Sequence, residues 1–292
     1  MSRSYFSTTL FLLCSWCGFL AQAQVTLPQA STKAAVSATI GVTEISIKYT
    51  SPAVRGRNLW GELVPYDKVW RAGANEATLV SFSTEVNVEG IKLPAGTYAF
   101  FLTPSTAGNW KVHFNSDTQL WGEYGYDPAK DVITVEVAPK PSNIVEERLT
   151  YSIKETKEDQ GYIMLAWEKQ RIIIRFAVNT HKIALANIDQ ALANGKAEEK
   201  WSVLAESAEY LLKKNENLEQ ALSWAQESTT LKSESWNFYI LAQIQAKMNK
   251  FADAAMSAQK AIDAGEKNAQ DGYYQFYKST IAKMRDDWKS KG

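Results

Sequence analysis

Between residues 43 and 178, hydrophobic and polar positions alternate in short runs. "TEISIKY" puts Ile45, Ile47 and Tyr49 on one face, and "WKVHF" does the same for Trp110, Val112 and Phe114, with His113 facing the other way. "VNVEGIKL" reads as two strand pieces about a Glu89-Gly90 turn, and "GTYAFFL" is rich in aromatic, strand-forming residues. "DVITVEV" and "RLTYSI" alternate again, and "YIMLAWEKQRIIIRFAV" reads as a hairpin about Lys169. Period-two runs at roughly ten-residue spacing predict a mainly antiparallel β-sandwich or barrel over residues 24–178.

From residue 179 the apolar positions fall at helical spacing. Ala184, Ile188, Ala191 and Leu192 share one face, and Asn194-Gly195 is a stop signal. Leu218, Ala221 and Ala225 then match Phe251, Ala254 and Ala258, and Ala208 and Leu211 match Leu241 and Ile244, all at one offset of 33 residues. That period is near that of a tetratricopeptide helix pair, in which small residues let helices approach closely. Residues 196–266 resemble that family, with Phe238, Leu241, Ala242, Phe251, Ala254, Ala258 and Ala261 at or near its packing positions; Glu266 stands where a repeat is usually closed by proline. A last helix from Asp271 to Lys289, carrying Tyr274, Tyr277 and Ile281, would cap the stack. The expectation for 179–292 is an all-α helical-repeat domain, serving either to recognise a protein partner or to pack against the β domain. Punctuation agrees: all eight prolines lie at or before Pro141, and nine of the fifteen glycines fall between Gly41 and Gly125.

The start of the chain changes the picture of compartment. Arg3 is followed by "FSTTLFLLCSWCGFLAQAQ", whose apolar core ends at the small-x-small site Ala21-Gln22-Ala23. This reads as a Sec signal over residues 1–23, cleaved near Ala23, and predicts a periplasmic or secreted protein. The core is too short to span a bilayer, and no later segment does so. Leu13 and Trp16 precede the two cysteines, Cys14 and Cys17, where a lipid anchor needs a small residue. Both cysteines lie within the signal, so disulfides and thiolate chemistry are excluded from the mature chain. The 32 basic and 32 acidic residues balance, so no basic face points to nucleic acid or anionic membrane.

Candidate chemistry is sparse. Two histidines, His113 and His181, make a poor ligand set, and neither metal nor cofactor is expected. No nucleophile elbow, P-loop or dinucleotide fingerprint occurs. Glu62, Asp67, Glu76, Glu123, Asp127 and Asp131 lie among aromatics, as glycosidase carboxylates often do, which keeps a carboxylate-dependent glycan hydrolase as an alternative. The densest segment is "YTSPAVRGRNLWGELVPYDKVWRAGANEAT", bent by Pro52, Gly56, Gly61 and Pro65 and combining Arg55, Arg57 and Arg71 with Trp60 and Trp70. Arginine forks grip carboxylates or phosphates, and tryptophan faces stack on sugars or guanidinium groups. A second loop, "WGEYGYDPAKD", offers Trp121 and Tyr124 as an opposite wall. The same residues fit a structural clamp: Arg71 pairing with Glu76 or an Asp, Trp60 and Trp70 as plugs, Gly73 making the turn and Asn75 in a left-handed conformation.

At these blocks the sequence becomes recognisable. "SPAVRGRNLWGELVPYDKVWRAGANEAT", "LPAGTYAFF", "WKVHFN" and "YDPAKD", in that order, closely resemble the secreted domain-of-unknown-function family 2911 over residues 30–178. Arg55-Gly56-Arg57 stands where members usually carry Lys-Gly-Arg. The resemblance implies an exported, mostly β domain, sometimes followed by helical repeats, and marks Arg55, Arg57, Trp60, Trp70, Arg71, Asn75, Glu76 and Asp131 as motif positions. It implies no reaction. The function expected is a non-catalytic module that binds a glycan, peptide or small anion, with scaffolding of a partner through the helices as a further alternative.

Overall fold

The computed structural model describes residues 27–292; the expected signal at 1–23, with both cysteines, lies outside the described residues. Ten strands come first: β1 Thr32–Ile40, β2 Thr43–Ser51, β3 Thr78–Phe82, β4 Val86–Val88, β5 Ile91–Leu93, β6 Gly96–Thr103, β7 Trp110–Asn115, β8 Asp131–Val137, β9 Lys140–Lys157 and β10 Gln160–Val178. They form two antiparallel sheets, ordered β1-β2-β3-β6-β7-β8 and β5-β4-β10-β9. The sheets face each other as an open sandwich, not a closed barrel. Alternation explains the packing: Ile45, Ile47, Val80, Val112, Phe114, Ile163, Leu165, Ile172 and Ile174 are buried in one shared core.

Two departures from simple alternation are informative. Tyr98 through Leu102 of β6 are all buried, because the outer face of this central strand is also covered. There Phe101, Ala77 and Ala99 pack against Leu120 and Tyr126, from the loop between β7 and β8. The second departure corrects the hairpin expected at Lys169. Residues 160–178 form one long strand, pairing first with β9 and then with β4, with register shifts around Glu168. Glu168 is left-handed (φ 49°), and the Arg171 guanidinium donates to the carbonyls of Glu168 and Gln170. A bulge of this kind bends a strand without ending it.

Six helices follow: α1 Thr180–Asn194, α2 Lys200–Lys214, α3 Leu218–Leu231, α4 Ser235–Lys247, α5 Phe251–Lys267 and α6 Gly272–Lys291. The positions related by the 33-residue offset do the packing: Ala208, Leu211, Ala221, Ala225, Leu241, Ile244, Ala254 and Ala258 are buried. Among the described residues no helix is long and apolar enough to cross a membrane. The helices meet the β region where Lys214 pairs with Glu158 and where Gly41 lies close against Thr180.

Gly265 shows how tightly α5 and α6 meet, since a Cβ there would lie 2.1 Å from the Tyr274 ring. Gly265→Ala should therefore destabilise the protein by about 1–3 kcal/mol through overpacking. Gly272→Ala meets nothing within 4 Å at the start of α6 and should be neutral or stabilising by up to about 1 kcal/mol. Thermal denaturation of the two variants checks this pair.

Candidate functional site

The connection between β2 and β3, residues 52–77, is built into the core. Val54, Leu59, Val64, Trp70 and Ala72 are buried in the main cluster, with Trp60 packed against it. Trp60 meets Trp110 at 4.8 Å between ring centroids and Trp70 and Trp167 at 6.0 Å. Trp70 stacks on Trp167 from β10 at 5.6 Å and 17°. Each such contact adds about 0.5–1.5 kcal/mol beyond simple burial.

The "RAGAN" turn is held by its backbone. Ala72 is fully buried and left-handed (φ 52°), a conformation a non-glycine residue keeps only when its surroundings fix it. Its carbonyl accepts from the Tyr151 hydroxyl at 2.8 Å and from Thr78 Oγ1 at 3.1 Å. Complete burial pushes the Tyr151 hydroxyl well above its ordinary pKa, so it stays a donor. Asn75 is left-handed as expected (φ 60°). Gly73 serves a different purpose from the expected turn: a Cβ there would meet Thr78 Oγ1 at 2.8 Å and the Thr50 carbonyl at 3.2 Å.

The three arginines come together. Arg55, Arg57 and Arg71, with Trp70 and Trp167, line a partly enclosed cavity of about 330 Å3, and Glu123 is the one carboxylate on its wall. Arg57 donates to the carbonyls of Ala53 (2.6 Å) and Val54 (3.0 Å), and Arg55 donates to that of Ala30 (2.9 Å). Neither guanidinium is paired with a carboxylate among the described residues. Arg71 Nη1 donates to Glu123 Oε2 at 2.5 Å, across 52 residues, and not to Glu76. Among the described residues, three buried N–H groups find no acceptor: Arg71 Nε, Trp167 Nε1 and Trp60 Nε1. Buried donors are nearly always satisfied, so three together need a reason.

The remaining candidate residues lie elsewhere. Trp60 sits in the tryptophan cluster and does not line the cavity. Glu76 takes Lys33 at 2.8 Å in a separate groove of about 500 Å3 along β1 and β2, and that hydrogen bond lowers its pKa. Trp121 and Tyr124 are 62% and 77% exposed. Their loop is nevertheless fastened to the first, through a bridge between Glu76 and Trp121 and through Ala77 N–H donating to the Leu120 carbonyl. Of the hydrolytic candidates, Glu62 accepts from Asn58, Asp127 caps a short 3-10 turn, and Glu76 and Glu123 line different cavities.

Asp131 belongs to a polar network that the alternation did not reveal. His113 lies on the outer face of its sheet and is buried, because Tyr126 covers it. Its Nδ1 lies 2.9 Å from Asp131 Oδ2 and its Nε2 lies 2.9 Å from Thr103 Oγ1. Asp131 also accepts from the Tyr126 hydroxyl (2.6 Å) and from Asn115 Nδ2 (2.8 Å). The neutral tautomer with its proton on Nδ1 satisfies every member: Nδ1–H donates to Asp131 and Nε2 accepts from Thr103. Burial pushes His113 below its ordinary pKa, outweighing the opposing pull of Asp131. Burial, then Asp131, raises that of Tyr126. None of the cavities described above reaches this network, and among the described residues no three His, Cys, Asp or Glu side chains gather as a metal-ligand group.

With this geometry in hand, comparison with known proteins is informative. A family model described as "Protein of unknown function (DUF2911)" matches residues 31–176, which is half of the 292-residue chain. The chain belongs to this family. The DUF2911 match spans both sheets, the 52–77 connection and the 116–130 loop, and ends before α1. No curated protein and no solved structure matches the chain. The cavity, the tryptophan cluster and the His113 network thus all belong to the DUF2911 part.

The His113 network yields a sign for pH dependence. A histidine whose folded pKa lies below its unfolded value, about 6.5, takes up its proton more readily when unfolded. Stability is therefore unaffected above pH 6.5 and is lost as pH falls below it. The melting temperature should decline from pH 7 to 5, and His113→Gln should flatten that decline, as measured by calorimetry at matched ionic strength.

Proposed function

We propose that the DUF2911 domain is a non-catalytic binding module that takes a small, acceptor-rich ligand in the arginine–tryptophan cavity. The observation that carries this is a wall of donors: three guanidiniums against one carboxylate, with Arg55 and Arg57 bound to backbone carbonyls and not to an acid. Guanidinium groups donate and do not accept, so the complement is a ligand with exposed oxygens. A volume of about 330 Å3 is at the small end of ligand pockets, which run from about 300 to 1,000 Å3. Glycan hydrolysis is less well supported, because two carboxylates in one groove are needed and this cavity has one.

Export fits this reading. The charged start, short apolar core and Ala21-Gln22-Ala23 site support placement in the periplasm or medium, where a small-molecule binder meets nutrients or wall fragments. The helical part is read as a tetratricopeptide-like platform for a protein partner. The support is the 33-residue offset between packed alanines and the exposure of Phe276 (78%) on α6.

A ligand panel tests the binding reading. Small acids, phosphorylated compounds and sugars would be titrated against the whole protein by tryptophan fluorescence and thermal shift. At least one should bind saturably. Ala74→Phe, which plugs the cavity from a half-buried wall position, should weaken that binding at least about ten-fold, about 1.4 kcal/mol. Absence of any binding, or equal binding by the plugged variant, would remove this function.

A further inference from the structure

Resting on the binding reading above, we infer that the ligand carries a compact dianion, a phosphate monoester group, seated at Arg55 and Arg57. The charges of the cavity wall separate into two parts. Arg71 and Glu123 form an ion pair and leave no net charge between them. Arg55 and Arg57 have no carboxylate partner among the described residues, so the positive charge left over comes from these two side chains. Next to the wall, Glu147 accepts from the Arg55 backbone N–H at 2.9 Å and Arg148 donates to the Ser51 carbonyl at 3.5 Å, so these neighbours offset each other.

The two free charges sit on one turn. Arg55 and Gly56 are both left-handed (φ 52° and 65°), which reverses the chain between Ala53 and Arg57. Arg57 spends Nε and Nη2 on the carbonyls of Val54 and Ala53, and Arg55 spends Nη2 on that of Ala30. Carbonyls hold a guanidinium in place without neutralising it, as a carboxylate would. Nη1 of Arg57, with Nε and Nη1 of Arg55, has no acceptor among the described residues. Both residues are exposed, so a ligand reaches them without breaking the bonds that position them.

This distribution of charge selects among anions. A phosphate monoester has a second pKa of about 6, so it carries nearly two charges at neutral pH, with three acceptor oxygens on one phosphorus. It therefore brings both charges to the Arg55–Arg57 turn at once. A monoanion answers only one of the two guanidiniums. A dicarboxylate spreads its charges along a carbon chain, and its second carboxylate finds Arg71 already taken by Glu123.

Isothermal titration calorimetry of the whole protein, at pH 8 and fixed ionic strength, separates these cases. The probes are methyl phosphate (a dianion), dimethyl phosphate (a monoanion) and succinate (two charges on separated groups). Methyl phosphate should bind at least about five-fold more tightly than either, the size expected for one further charge beside partly screened guanidiniums. Arg55→Gln removes one charge from a side chain whose one hydrogen bond among the described residues is to the Ala30 carbonyl. It should cut the advantage of methyl over dimethyl phosphate at least about two-fold. Dimethyl phosphate or succinate equalling methyl phosphate, or an unchanged advantage in folded Arg55→Gln, overturns the dianion assignment. If a neutral sugar binds, and is weakened by Ala74→Phe, while all three anions fail, the assignment falls and the cavity reading survives. If nothing binds, both fall. Comparing the three probes on the unmodified protein depends on no variant folding.

Discussion

The stack of Trp70 on Trp167 is the contact on which the rest of this domain depends. It joins a 26-residue connection, residues 52–77, to the long strand of the opposite sheet. An irregular segment of that length cannot satisfy its backbone by sheet pairing, so it needs buried anchors. Trp60, Trp70 and the buried carbonyl of Ala72 supply them. Once the segment is anchored, its three arginines line one cavity, with Arg55 and Arg57 exposed and Arg71 half-buried. Backbone carbonyls hold the first two guanidiniums and Glu123 holds the third.

Scaffold and site are therefore the same residues seen from two sides. The tryptophan faces fill the core, while the guanidiniums of Arg55, Arg57 and Arg71, close to them in sequence, line the cavity. Rigid loops on a stable sandwich commonly carry function for this reason. The second loop completes the arrangement from a distance. Gly122 lets its backbone approach Arg71, and the Leu120 carbonyl accepts from Ala77. The polar network of His113, Asp131, Tyr126 and Asn115 anchors the far end of that same loop to β7 and β8.

Much of this was legible in the sequence because alternation and helical period are local signals. The antiparallel sandwich, expected as a sandwich or barrel, and the helices beyond residue 179 follow from spacing alone, while the Arg55–Glu76 segment stands out by its residue types. What escaped was long-range. Proximity in sequence points Arg71 to Glu76 or an Asp, whereas its partner, Glu123, is 52 residues away. Trp167 reads as an ordinary strand tryptophan until the bulge at Glu168 is known, and the sequence there reads as a hairpin because a single left-handed residue leaves no signature that tells a bulge from a turn. His113 alternates as an outward residue and does point outward. Its burial comes from Tyr126, thirteen residues later, and no periodicity encodes a loop folding back over a sheet.

The central claim is that the arginine cavity takes a small, acceptor-rich ligand. Nitrogen-15 NMR of the arginine Nε–H and tryptophan Nε1–H groups observes its wall directly, with the Arg55, Arg57, Arg71 and Trp110 signals assigned by substitution. On saturation with a panel compound that binds, the arginine signals should shift, while Trp110, which is bonded to the Ser105 carbonyl and does not line the cavity, should change little. Arginine signals that all stay fixed while a panel compound binds would contradict the account.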